Sequence, residues 1–110
     1  MRVLIDNCLP VALRHDLHGH DVETAAYRGW GRLENGELVA AAVDAGFEAL
    51  VTVDQGADIA RAVRGKAISI IQITGAGSNR LEDVQPFVPG ILDAMPKAPA
   101  GVVTTVRVPS

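Results

Sequence analysis

The sequence predicts an α/β domain built on a mainly parallel sheet of about five strands, and three observations carry that reading. Short apolar runs alternate with helical patterns through the whole of its 110 residues. Apolar residues make up 48 % of the chain but aromatics only 4 %, so the core is made of Val, Ile, Leu and Ala. That composition suits buried parallel strands under Ala-rich helices. Acids follow directly on two of the apolar runs, at the strand ends where open α/β sheets gather their function.

Each element has its own signal. Arg2 to Asp6 (RVLID) reads as a first strand ending in an acid. Pro10 suits the first turn of a helix running to about Leu17, with Gly19 as its stop. His20 to Ala25 reads as a second, more polar strand, and Tyr27 to Glu34 (YRGWGRLE) as a loop. Asn35 looks like the cap of a helix in which Leu38, Val39, Ala42, Val43 and Phe47 recur at helical spacing, ended by Gly46. Ala49 to Val53 forms a third strand, followed at once by Asp54 and then by a short helix over Asp58 to Val63.

Ala67 to Thr74 (AISIIQIT) is the most apolar stretch and the best candidate for a central strand. Gly75 to Asn79 makes a polar turn. A last helix, Leu81 to Met95, contains Pro86 and Pro89 and is expected to break there. Val102 to Val108 alternates like an edge strand. The length suits one domain over residues 1–110, with no repeat and no linker.

The net charge of −3 gives no global support for nucleic-acid binding, although a local basic patch is compatible with it. The single cysteine, Cys8, forbids an intrachain disulfide and points to a reducing compartment. No apolar run is long enough for a membrane span, and the start (MRVLID) lacks the features of a signal peptide. The expectation is therefore a cytoplasmic protein with no membrane association.

Strand one delivers Asp6 and Asn7 to the carboxyl edge of the sheet, strand three delivers Asp54, and strand four runs into Ser78, Asn79 and Arg80. A right-handed crossover brings the start of the next helix, with Glu37, to the same edge. Asp6, Glu37 and Asp54 are thus expected to converge. Carboxylates grouped in this way repel unless a cation compensates them. Oxygen ligands of this kind suit Mg²⁺ or Mn²⁺, which activates water and stabilises a phosphodiester transition state. The plain alternative for each acid is a helix cap or a solvated end.

Five segments match a known group in order and spacing: RVLIDNCLP (Arg2–Pro10), GHDV (Gly19–Val22), GWGRLENGEL (Gly29–Leu38), AGFEALVTVD (Ala45–Asp54) and SNRLEDVQPFVPGIL (Ser78–Leu92). Through them the chain resembles the PIN-like family of short bacterial proteins, a domain of unknown function related to the PIN nucleases. The resemblance implies a three-layer αβα fold and an acidic pocket. It also implies that Asp6, Glu37 and Asp54 coordinate Mg²⁺ or Mn²⁺ and cut RNA. Many PIN proteins are toxins of type II toxin–antitoxin modules, so the resemblance implies a cognate antitoxin-like protein as partner; a homodimer is left open by the sequence. PIN nucleases commonly carry a fourth acid soon after the third. Here Gln55 and Gly56 follow Asp54, and the next acid is Asp58, which serves either as that acid or as a helix N-cap. Asn79 is an alternative ligand or water-binding residue.

The remaining polar residues have simpler readings. Asn7 bonds Asp6 or makes a local turn, and Cys8 is a small buried residue. His15, His18 and His20 lie near the amino end of strand two, away from the acids, so a metal role is disfavoured. Trp30 anchors its loop on the core or stacks on a base, with anchoring preferred. Arg28, Arg32 and Arg80 border the acidic edge as phosphate contacts, or Arg80 fixes one of the acids. Arg61, Arg64 and Lys66 form a solvated cluster.

The leading functional expectation is a metal-dependent ribonuclease with Asp6, Glu37 and Asp54 as catalytic ligands and Asn7, Ser78, Asn79 and Arg80 on the substrate. The alternative is a catalytically weak binding module acting through a protein partner. A phospho-acceptor domain of the response-regulator type is disfavoured, because two adjacent acids after strand one and a well-placed late lysine are missing.

Overall fold

A computed structural model describes residues 1–53 and 57–107. β1 (Arg2–Ile5) buries Val3, Leu4 and Ile5 completely, so both faces of the strand are covered. Strand alternation sends Val3 and Ile5 to one core and Leu4 to the other. The same split recurs in β3 (Ala49–Thr52) and β4 (Ser69–Ile73): Ala49, Val51, Ile71 and Ile73 face one way, Leu50 and Ile70 the other. β2 (Asp21–Thr24) and β5 (Val103–Val106) are the edges, and every pairing is parallel. The described residues thus form a five-stranded parallel sheet in the order β2-β1-β3-β4-β5. β4 is interior, as its apolar run predicts, and β5 is an edge strand. Of the segment expected for β5, Val108 lies outside the described residues.

Helices cover both faces. α1 (Asn35–Asp44) and α2 (Ala57–Val63) close one core through Leu38, Val39, Ala42, Ile59 and Val63. The other core takes Leu13 and Leu17 from the segment after β1, with Val84, Phe87, Ile91 and Met95. The last helix breaks at its prolines, as expected, into α3 (Leu81–Val84), a 3-10 turn (Gln85–Phe87) and α4 (Val88–Ala94). Among the described residues no helix is long and apolar enough to cross a membrane.

Three local expectations are corrected. The segment after β1 is a 3-10 helix (Val11–His15), not an α-helix to Leu17: Leu13 N–H bonds the Pro10 carbonyl at 3.1 Å and Asp16 N–H that of Leu13 at 3.0 Å. Pro10 is its extended cap residue, with ψ at 138°. The N-cap of α1 is Glu34, not Asn35, because Glu34 and Glu37 form a capping box, with Glu37 Oε1 accepting the Glu34 N–H at 3.3 Å. Asp58 is not a cap but sits in the first turn of α2, where its carboxylate accepts from Arg61 Nη2 at 2.7 Å.

Candidate functional site at the crevice between β1 and β3

Strand connections reverse direction between β1 and β3: the chain leaves β1 for one edge of the sheet and later returns to extend the other way from β3. Open α/β sheets bind ligands at such a point, outside the carboxyl ends of the strands. Asp6 stands there. Its N–H continues the ladder to the Val51 carbonyl at 3.0 Å. Because Ile5 pairs with Val51, the next two residues, Asp6 and Thr52, lie side by side on the α1/α2 face. A polar row extends from them across the sheet, since Thr52 pairs with Gln72 and Gln72 with Thr105, whose Oγ1 lies 3.1 Å from Gln72 Oε1.

Two short hydrogen bonds hold the Asp6 carboxylate. Oδ1 accepts the Asn7 main-chain N–H at 2.7 Å, and Oδ2 accepts the Thr52 hydroxyl at 2.7 Å. The Asn7 contact is the one foreseen from the sequence, made by its main chain. Thr52 is fully buried, so its donor is fixed in place. Each carboxylate oxygen can accept again. Oxygen acceptors of this kind are the donor type that Mg²⁺ or Mn²⁺ takes, and Asp6 supplies one such ligand. Cys8 Sγ lies 3.9 Å from Thr52 Oγ1. Burial pushes its thiol pKa up, the Val53 main-chain bond opposes that shift, and the Asp6 charge adds to it.

The other predicted site residues are placed as follows. Glu37 is exposed at the start of α1 and engaged in the capping box. Asp54 lies outside the described residues. Among the described residues no three Asp, Glu, His or Cys side chains form a group fit to hold a metal. Ser78 Oγ donates to Asp83 Oδ2 at 2.5 Å and accepts the Arg80 N–H at 3.1 Å, so it ties the turn to the start of α3. Asn79 and Arg80 are exposed, and Arg80 meets Glu82 at 3.8 Å rather than fixing a site acid. A cleft of about 610 Å³ opens between the starts of α1 and α2, lined by Glu34, Asn35, Gly36, Asp58, Arg61 and Ala62.

The basic and aromatic residues divide. Arg28 spends its guanidinium on Glu23: Nε and Nη2 each reach a Glu23 oxygen at 2.8 Å. Arg2 Nη2 meets the same Glu23 at 3.3 Å. The Arg28 hydrogen bonds, then its charge and those of Arg2, hold the Glu23 carboxyl below its ordinary range. Both guanidiniums lie over the Phe47 ring, at 4.6 Å for Arg2 and 5.1 Å for Arg28. Trp30 meets Phe47 edge-on at 6.2 Å and packs on the α1/α2 core, which is the anchoring role. His15 and His18 are exposed at the amino side of β2, as expected.

Sequence reasoning missed Thr52. Its signal was a lone hydroxyl inside an apolar strand, at the end that open α/β sheets use for function. No family model, no curated protein and no solved structure matches the chain.

Proposed function

We propose that this protein is a divalent-metal-dependent ribonuclease of PIN-like type, cytoplasmic, and acting as the toxin of a toxin–antitoxin pair. The observation that supports it is the Asp6 carboxylate at the β1/β3 crevice, oriented by Thr52 and Asn7 with accepting capacity left on both oxygens. In this reading Asp6 is one metal ligand, and Asp54, two residues after Thr52 in the sequence, is a second. Glu37 joins them when its carboxylate leaves the Glu34 N–H. Asn79 and Arg80, exposed beyond β4, contact the substrate. The bound Mg²⁺ or Mn²⁺ would activate water and neutralise charge on the phosphodiester.

The test is cleavage of RNA with Mg²⁺ or Mn²⁺ by the wild type and by Asp6→Asn. The expected result is metal-dependent cleavage, abolished by chelation and reduced by at least about a hundredfold in the variant. Equal activity in both proteins marks a contaminant and ends the proposal.

A second reading has its own support. Glu37 is engaged in a capping box and Asp58 in an ion pair with Arg61, so two of the acids have structural employment. That favours a PIN-like binding module which works through an antitoxin-like protein or a second copy of itself. Calorimetry decides between them: no heat of Mn²⁺ binding, together with a stable stoichiometric complex with such a partner, selects the module.

A further inference from the structure

We propose that the loop joining β2 to α1 is the single-strand contact of this protein, with Tyr27 stacking on an unpaired base and Arg32 meeting a backbone phosphate beside Asp6. This role presupposes the ribonuclease reading and names how its substrate is held.

The loop is locally basic in an acidic chain. Residues 25–33 (AAYRGWGRL) carry two arginines and two aromatics and no carboxylate, although the net charge is −3. The fold sorts those four side chains into an inner and an outer pair. Trp30 and Arg28 turn inward, onto Phe47 and Glu23. Tyr27 and Arg32 are left outside. Tyr27 is 77 % exposed, and Arg32 is exposed with no ion-pair partner among the described residues.

The inner pair makes the outer pair a rigid platform. Tyr27 N–H is held by Thr24 Oγ1 at 3.1 Å, and Trp30 N–H by the Ala25 carbonyl at 2.9 Å. Gly29 supplies the left-handed turn between them, with φ at 77°. A fixed main chain leaves only the side-chain torsions of Tyr27 to be ordered on binding, which keeps the entropic cost of stacking low.

The platform adjoins the candidate site. Ala25 N–H bonds the Ile5 carbonyl at 2.9 Å, which docks the loop on the end of β1. A Cβ at Gly31 would lie 3.8 Å from both the Nδ2 and Oδ1 of Asn7, whose N–H holds Asp6. The loop therefore packs against the neighbour of Asp6. Gly31 lies four positions after Tyr27, a span of at most about 14 Å. A strand lying on Tyr27 thus passes within a few nucleotides of Asp6. Aromatic stacking is sequence-tolerant and suits single strands.

The test is fluorescence anisotropy with a labelled mixed-sequence 12-nucleotide RNA, in EDTA so that no cleavage occurs. Tyr27→Ala is expected to weaken binding about tenfold, and Tyr27→Trp to retain it. Arg32→Ala should weaken binding and lower the slope of log affinity against log salt by about 0.7. The affinity for a blunt duplex of the same length should not respond to Tyr27→Ala. The melting temperature of Tyr27→Ala should match the wild type, because the side chain it removes is exposed. Absence of RNA binding by the wild type, or equal affinity of Tyr27→Ala and wild type, overturns the inference. A wild type that cleaves RNA independently of Tyr27 keeps the ribonuclease reading and ends this one. Tyr27-dependent binding without cleavage does the reverse.

Discussion

Thr52 donates its hydroxyl proton to Asp6 Oδ2 at 2.7 Å, from the last residue of β3 to the first residue past β1. The bond spans the crevice at which the sheet changes direction, so two strands jointly fix one carboxylate. Thr52→Val keeps the volume and removes the donor. It is expected to cost about 1–2 kcal/mol in urea unfolding, because a buried hydrogen bond to a charged group is lost. Thr52→Ser keeps the donor and loses a methyl group, for about 1 kcal/mol. Stability alone separates the two variants poorly; Mn²⁺ affinity separates them well. On the proposed metal role of Asp6, the Val variant should bind Mn²⁺ about tenfold more weakly than wild type, as removal of a ligand's supporting bond generally does. The Ser variant should bind nearly as wild type does. Equal affinity of the two variants would show that Thr52 does not orient a metal ligand.

Glu23 predicts a pH dependence. Two hydrogen bonds from Arg28 come first among the causes that lower its carboxyl pKa, with Arg2 adding to them. Its folded value lies below the ordinary 4.5, so the unfolded chain binds the proton more readily than the folded one. The stabilisation is complete above about 4.5 and is lost as pH falls through the lower folded value. Glu23→Gln should therefore cost about 1 kcal/mol at pH 7. The gap between variant and wild type should narrow as pH falls below 4.5. A gap that stays constant with pH would assign the effect of the mutation to packing.

Cys8 predicts slow thiol chemistry. Burial is the largest cause raising its pKa from 9.0, so well under a tenth is thiolate at neutral pH. Alkylation by iodoacetamide should be slower than that of a free thiol at pH 8 and should keep rising past pH 9. A rate that levels off below pH 8 would mean an activated thiolate, at odds with a thiol whose pKa burial raises.

The sheet was legible because apolar runs and helical patterns alternate, and that alternation admits few architectures. The position of Asp6 followed from the same rule. The strand order did not follow, since alternation specifies parallel strands but not which of them are neighbours. Glu34 was passed over as the α1 cap because Asn35 is the better cap type by itself, whereas the capping box depends on the pair Glu34 and Glu37. Arg28 reads as a free cation in the sequence because its partners, Glu23 of β2 and Phe47 of the turn between α1 and β3, are brought to it only by tertiary packing. Thr52 reads as an ordinary β-branched strand residue until its neighbour across the ladder is known to be a carboxylate.

Two helical glycines provide a final test of the packing. Gly in a helix interior costs about 1 kcal/mol relative to Ala, so Gly→Ala is expected from propensity to stabilise at either position. At Gly36, in the first turn of α1, an added Cβ meets nothing within 4 Å. Gly36→Ala should raise stability by about 0.5 kcal/mol. At Gly90, within α4, the same Cβ would lie 2.7 Å from Val106 Cγ1 on β5. The helix there rides directly on the edge strand, and Gly is the residue that lets it approach. Gly90→Ala should destabilise by about 1–2 kcal/mol, since the overpacking exceeds the propensity gain. Adding Val106→Ala to Gly90→Ala should recover part of the loss, because the clashing methyl groups are gone. The combined cost should then be smaller than the sum of the two single costs, as expected for residues in contact. Thermal denaturation of the four variants decides it: stabilisation by Gly90→Ala, or additivity of the pair, would mean that α4 does not sit on β5 at this distance.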